Sequence, residues 1–336
     1  MSTDLNRNAL NGASMGTRWS ALLHAPPATD IAALEASLAR AVDRVDRQMS
    51  TWKPDSDLMR FNAAPIGTWV SLPTELMQVL AKGLEIGRAS CGAFDIGLGD
   101  LVNAWGFGPA GTEPDTTAIQ AALRRKRPPS HEVLELDMAG GQARKHARLH
   151  LDLSGIAKGF GVDEMMRVVR AFGADNALVG LDGELTARGT KPDGTPWTVA
   201  VEKPDYDIRS RLGVVTLRDA SIATSGDYRH WVDAGQKRLS HTMDRARSGP
   251  ADNGIASVSV VASSCMDADA WATALMVLGA VEGKALAWKQ GLDALFIQRT
   301  GEGLVQIAVG PVFGSAHIGS DQIARQPRTP VVAALD

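Results

Sequence analysis

Cysteine is scarce in this chain, and its scarcity excludes two kinds of site. Only Cys91 and Cys265 occur among the 336 residues. They lie far apart and form no Cys-x-x-Cys pair, so neither a zinc site nor a disulfide framework is indicated. Excess basic charge is also missing. A net charge of −3 and a pI near 6.2 give no electrostatic footing for nucleic acid. The densest basic run, Arg124 to Pro129, is short, lacks aromatics and reads as a solvated loop. No uninterrupted apolar run of about 18 residues exists, so membrane insertion is not expected. The first residues hold no apolar export core. With Met1 as the native start, the expected location is the cytoplasm. Removal of an export signal would make it the periplasm. No Walker-type phosphate loop occurs, and no Gly-x-Gly-x-x-Gly follows the strand that ends at Asp152.

What is present is an ordinary soluble composition, 44% hydrophobic and 22% charged, with length enough for a sizeable core. The expected organisation is a polar, flexible segment over 1–13, one domain over 14–324 and a tail over 325–336. Residues 15–25 read as the first strand. Apolar residues at helical spacing, Ile31, Leu34, Leu38, Val42 and Val45, predict a helix capped by Asp30. Further helices are expected over 55–62, 72–90, 116–125, 156–171, 263–279 and 280–290. Strand patterns cover 131–137, 142–154 and most of 176–263, then 294–299 and 304–310, with "MAGG" at 138–141 as a hairpin turn. Hairpins outnumber βαβ units. The expected fold class is α+β, a mainly antiparallel sheet with interleaved helices.

Four glycine-bearing polar stretches stand out. "GAFDIGLGDLVNAWGFG" (92–108) allows close backbone approach to a ligand, or is simply a tight-turned loop. "LDLSGIAKGFGVDEM" (151–165) ends a strand and opens a helix, where backbone N–H groups and Lys158 suit phosphate. "SIATSGDYRHWV" (221–232) is the third stretch. "SHTMDRARSGP" (240–250) places His241 three residues before Asp244.

The segment "SSCMDADAWATALMVLG" (263–279) poses a sharper question. Ala268, Trp271, Ala272 and Leu275 form a core-facing stripe, and Ser264 with Asp267 fits a capping box. Asp269 and Thr273, four apart, share another face. Either Asp269 is solvent-exposed and Thr273 bonds back to its own helix, or the two are oxygen ligands for a hard cation. One carboxylate and one hydroxyl suit Mg²⁺ better than Ca²⁺.

Seven motifs in order resemble the ApbE family of flavin transferases: "MGT" (15–17), "STWKPDSDLMRFN" (50–62), "FDIGLGDLVNAWGFG" (94–108), "DLSGIAKGFGVD" (152–163), "ATSGDYR" (223–229), "SHTMD" (240–244) and "DADAWATALMVLG" (267–279). The resemblance spans about 14 to 310. It implies Mg²⁺-dependent cleavage of FAD, transfer of FMN to a Thr or Ser of an acceptor flavoprotein, and release of AMP. By the same resemblance, Met15, Trp52, Ala93, Phe94, Asp95, Asp152, Lys158, His241 and Thr242 match positions that contact FAD. The Gly155 carbonyl, Asp269 and Thr273 match metal ligands. His241 and Asp244 are the two candidates for the base. A Mg²⁺-dependent FAD pyrophosphatase and a non-catalytic FAD-binding protein are the alternatives. This chain also departs from the family pattern. Arg245 and Asp100 stand where proline is common, Ser248 where threonine is, and Asp182 where glycine is. Many relatives are exported lipoproteins, whereas no export signal is read here.

Overall fold

A computed structural model describes residues 5–234 and 237–314. Its centre is an eight-stranded sheet. The strands run in chain order from one edge to the other: Asn6–Ser14, Thr17–Ala25, Asn176–Leu181, Glu184–Arg188, Ala220–Gly226, Ile255–Ala262, Asp293–Thr300 and Gly303–Val309. Every neighbouring pair is antiparallel. The α+β class expected from the pattern is therefore the fold observed.

Alternation sets the two faces of the sheet. Val258, Val260, Ala294 and Phe296 face the large core beneath the helices. Val261, Leu295 and Ile297 face the opposite side, joined by Ala256 at the register shift between Ile255 and Ser257. There the hairpin Trp197–Glu202/Arg211–Leu217 covers them with Trp197, Val199, Val201 and Val215. With both faces covered, the strand Ile255–Ala262 is buried almost throughout, as expected for a strand between two layers.

The helices follow the apolar spacing. Ile31–Met49 buries Leu34, Leu38, Val42 and Val45, and its cap Asp30 accepts the Ala33 N–H. Ala157–Ala171 lies between that helix and Cys265–Gln290. Ser264 caps the latter by accepting the Asp267 N–H, and the Asp163 carboxylate accepts the N–H groups of Cys265 and Met266. Cys265–Gln290 is long and apolar enough by composition to cross a membrane, but it is two helices. Gly279 breaks it at φ 79°, ψ −176°, a conformation essentially reserved for glycine. Asn253 Nδ2 donates to the carbonyls of Met276 and Val277 and closes the front half.

Several expectations are corrected. Residues 6–13 are not a loose leader: Asn6–Ser14 pairs in full with Thr17–Ala25 across the two-residue turn Met15–Gly16. Both turn residues have positive φ, 51° and 70°, as a type I′ hairpin requires. The strand reads as polar because it is an edge strand, and Leu10 is its one buried side chain. The segment 15–25 is accordingly the second strand, beginning at Thr17. Residues 148–154 form no ladder beyond a single bridge, Leu98 to His150. Leu149, Leu151 and Leu153 are buried, but the backbone of Leu151 is bonded to the Asn62 side chain instead of a strand. Ser130–Val133 is a helical turn ahead of the strand Leu134–Asp137. Gly99–Ala104 is a short helix inside the first glycine-rich stretch. The expected tail at 325–336 and the domain boundary at 324 lie outside the described residues.

Candidate functional site

The site is built where two helices touch. At Gly159, in the first turn of Ala157–Ala171, a Cβ would collide with the carbonyl of Cys265, so only glycine permits this approach. The approach delivers the Gly159 N–H to Asp269 Oδ2 at 3.0 Å. Asp269 is only 4% exposed. The solvent-exposed reading of this residue is thereby overturned. Thr273, one turn on, does not bond back to its helix in this structure but meets Ser225 Oγ at 2.9 Å. Gly155 sits against it: a Cβ there would be 3.0 Å from Thr273 Oγ1 and 3.4 Å from the Phe94 ring.

Charge around these oxygens is short of cations. Lys158 Nζ is 3.0 Å from Glu184 Oε1 and 3.5 Å from Asp182 Oδ2. Burial opposes its charge, but the carboxylates of Glu184, Asp269 and Asp182 outweigh burial and raise its pKa. Burial raises the pKa of both Glu184 and Asp269, helped by the Asp182 charge at Glu184 and by the Glu184 charge at Asp269. Glu184 Oε2 is buried with no hydrogen-bond partner. One lysine thus faces two buried carboxylates, which leaves room for a cation. A carboxylate, a hydroxyl and a backbone carbonyl are hard oxygen donors, and they fit Mg²⁺. Among the described residues no group of three or more His, Cys, Asp or Glu side chains is placed to hold a metal ion, so the Thr273 hydroxyl and backbone oxygen would have to complete the set.

His241 approaches from another element, between the hairpin Trp231–Ala234/Lys237–Ser240 and the short pair Met243–Asp244/Gly249–Pro250. Its Nδ1 lies 3.2 Å from the carbonyl of His230. A carbonyl only accepts, so Nδ1 carries the proton and Nε2 keeps its lone pair. Phe107 and His230 pack edge-on against the ring. Burial, then the nearby His230 and Lys158, push its pKa down to about 4. The imidazole is therefore neutral at physiological pH. Thr242, next in sequence, is buried with Oγ1 3.8 Å from Met276 Sδ, three residues beyond Thr273.

The remaining expected residues divide. Met15 adopts a left-handed backbone and lies near Gly161 of the Ala157–Ala171 helix. Phe94 is buried against Gly155, with Ala93 beside it half-buried. Asp95 is buried and already engaged: its carboxylate accepts the N–H groups of Gly97 and Ser130. Asp152 accepts the Ser154 N–H in a local turn. Asp244 spends one oxygen on the Ala246 N–H. Trp52 is 65% exposed just after the first helix. Four contributors were not singled out from sequence: Glu184, Ser225, His230 and Phe107. Glu184 carried a signal, a carboxylate opposite the apolar Leu181 at the closed end of a strand pair. The basic run is not wholly solvated either, since the Arg127 side chain is 7% exposed and doubly bonded to Asp100 at 2.6 and 3.0 Å.

The model of the ApbE family matches residues 15–296. A protein of Vibrio cholerae serotype O1 named FAD:protein FMN transferase is 35% identical over 89% of this chain and 90% of its own length. The solved flavin transferase ApbE from Vibrio cholerae superposes with a TM-score of 0.82 at 33% identity, over 93% of this chain and 99% of that one. The apo flavinyl transferase ApbE of Pseudomonas stutzeri gives 0.82 at 33% identity, over 94% and 98%. The chain belongs to the ApbE family.

Proposed function

From that membership we propose that this transferase is a Mg²⁺-dependent FAD:protein FMN transferase. It cleaves the FAD pyrophosphate, joins FMN through a phosphoester to a Thr or Ser hydroxyl of an acceptor flavoprotein, and releases AMP. The observation that carries this reading is the buried Asp269 beside Thr273 and the Gly155 backbone, with a neutral imidazole approaching from a separate hairpin.

Asp269, Thr273 and the Gly155 carbonyl would hold the metal. Bound there, Mg²⁺ would supply charge neutralisation for phosphate oxygens. The chain's own residues supply the rest. The neutral His241 accepts the acceptor's hydroxyl proton at Nε2, while the His230 carbonyl holds the ring in that tautomer. The hydroxyl oxygen forms its bond to the FMN-side phosphorus, and the phosphorus–oxygen bond to AMP breaks. His241 is preferred to Asp244 as the base, because Asp244 closes its own turn. Lys158, fixed by Glu184 and Asp182, adds a positive charge beside the phosphates.

Incubation with FAD, Mg²⁺ and candidate acceptor proteins tests the reading, with mass spectrometry of the acceptor. The expected result is a covalent FMN adduct and one AMP per adduct. Release of FMN and AMP with no adduct on any acceptor would identify a pyrophosphatase instead. FAD binding with no turnover would leave a carrier.

A further inference from the structure

We propose that Arg245 is a positioning residue that locks the His241–Asp244 hairpin against the Ala93–Asp95 segment; the catalytic part of this proposal rests on the transfer reading above. The hairpin has little to hold it. Its two strands are two residues each, Met243 opposite Pro250 and Asp244 opposite Gly249. Arg245 is the first residue of the tip between them. Its guanidinium reaches away from its own turn to two other loops. Nη1 donates to the Arg127 carbonyl at 3.2 Å, and Nε lies 3.6 Å from Asp95 Oδ2. The group lies directly over Gly92, where a Cβ would be 3.0 Å from Nη2.

Both partners are themselves fixed. The Asp95 side chain is 1% exposed and accepts the N–H groups of Gly97 and Ser130. Arg127 is anchored in turn by its paired bonds to Asp100. Three segments therefore converge on one guanidinium: 92–97, 127–130 and 244–249. The first carries Phe94, which packs on Gly155, and the third follows His241. Its hydrogen bond goes to the Arg127 carbonyl and its charge faces the buried Asp95 carboxylate, so it acts through the hairpin and not on the substrate. The energetic reason to place arginine here is its rigid, planar head, which donates a hydrogen bond to one loop while its charge faces the carboxylate of another. Lysine keeps the charge toward Asp95 but loses the fork.

The test compares Arg245→Ala and Arg245→Lys with the wild type in three measurements: steady-state FMN transfer, FAD affinity by titration, and amide hydrogen exchange without FAD. For Arg245→Ala, kcat is expected to fall by about tenfold, the scale of a small misplacement of a reacting group. FAD affinity should change by less than about threefold, and exchange should quicken over 241–250 only. Arg245→Lys should recover part of both losses. Wild-type kcat together with wild-type hairpin exchange in Arg245→Ala would overturn the proposal. So would a kcat loss accompanied by faster exchange across the whole chain, which marks a general structural role. Faster hairpin exchange with unchanged kcat would overturn the catalytic part. A wild type that makes no FMN adduct would instead overturn the transfer reading, and the exchange measurement would still decide whether the hairpin is locked.

Discussion

The two halves of the site are built on different kinds of support. Asp269, Thr273 and Gly159 lie on packed helices. Their neighbours Ala270, Ala272, Ala274 and Leu275 belong to the main core. His241 lies between two short, nearly free-standing strand pairs, and Asp244 lies on the second of them. Met243 anchors that side in a small satellite cluster with Leu98, Leu101 and Ala122. Gly249 leans on the Trp105 indole, and Arg245 supplies the polar tie. The contrast separates two tasks. Holding charge needs fixed oxygens and a dry surrounding, which helices in a core provide. Handling a proton beside a protein-borne hydroxyl needs an approachable group, which a peripheral hairpin provides.

The largest expected effect strikes the helical half. Asp269→Ala should reduce Mg²⁺-dependent turnover roughly a thousandfold or more, since a catalytic metal stabilises charge by several kcal/mol. Calorimetric titration with Mg²⁺ should show the binding lost as well. Near-normal turnover in this variant would remove the helical half from the chemistry.

Next comes the hairpin half. His241→Ala should lower kcat by about 10²–10⁴ while FAD affinity stays close to that of the wild type. The pH profile gives the sign. The folded-state pKa near 4 is below the usual value of 6.5, so Nε2 is available above about pH 4 and protonated below it. The limb of kcat owed to His241 should therefore fall on acidification through about pH 4. A limb near pH 6.5 that disappears in His241→Ala would contradict the lowered pKa of this imidazole.

Paired glycine substitutions compare the two supports directly. Gly159→Ala forces a methyl into the Cys265 backbone and should cost about 1–3 kcal/mol, read as a lowered midpoint in denaturant. Gly249→Ala meets only the indole edge, at 3.2 Å, and should cost less. Equal costs would erase the distinction between core and periphery. The smallest effect is expected for Thr273→Ala, about tenfold in kcat/KM, because water can replace a neutral oxygen ligand. A loss as large as that of Asp269→Ala would show that the hydroxyl does more than ligate.

Periodicity made the helical half legible. The caps Asp30 and Ser264, the core stripe through Trp271 and Leu275, and the break near 279 all follow from local spacing. The edge strand Asn6–Ser14 was hidden because its pairing depends on a turn, not on apolar residues. The extended run 149–153 looked like a strand because its leucines alternate, whereas its backbone partners lie far away in sequence. The burial of Asp269 was not legible from composition, because it depends on a glycine 110 positions upstream. Glu184 and Ser225 escaped notice for the same reason: each acquires its partner only when the sheet meets the helices.

The break at Gly279 has a consequence for how the chain tolerates change. A continuous helix transmits rotation: one inserted residue turns everything beyond it by about 100°. Here the front segment is terminated on Asn253 before the rear segment begins. Gly279 thus uncouples the angular phase of the two. Residues 280–290 seat Ala287 in the main core and leave Val281 and Trp288 on the outer surface, so their phase is set by their own packing and not by the segment that carries Asp269 and Thr273. The glycine acts as a slip joint between two segments, each seated by its own contacts with the core.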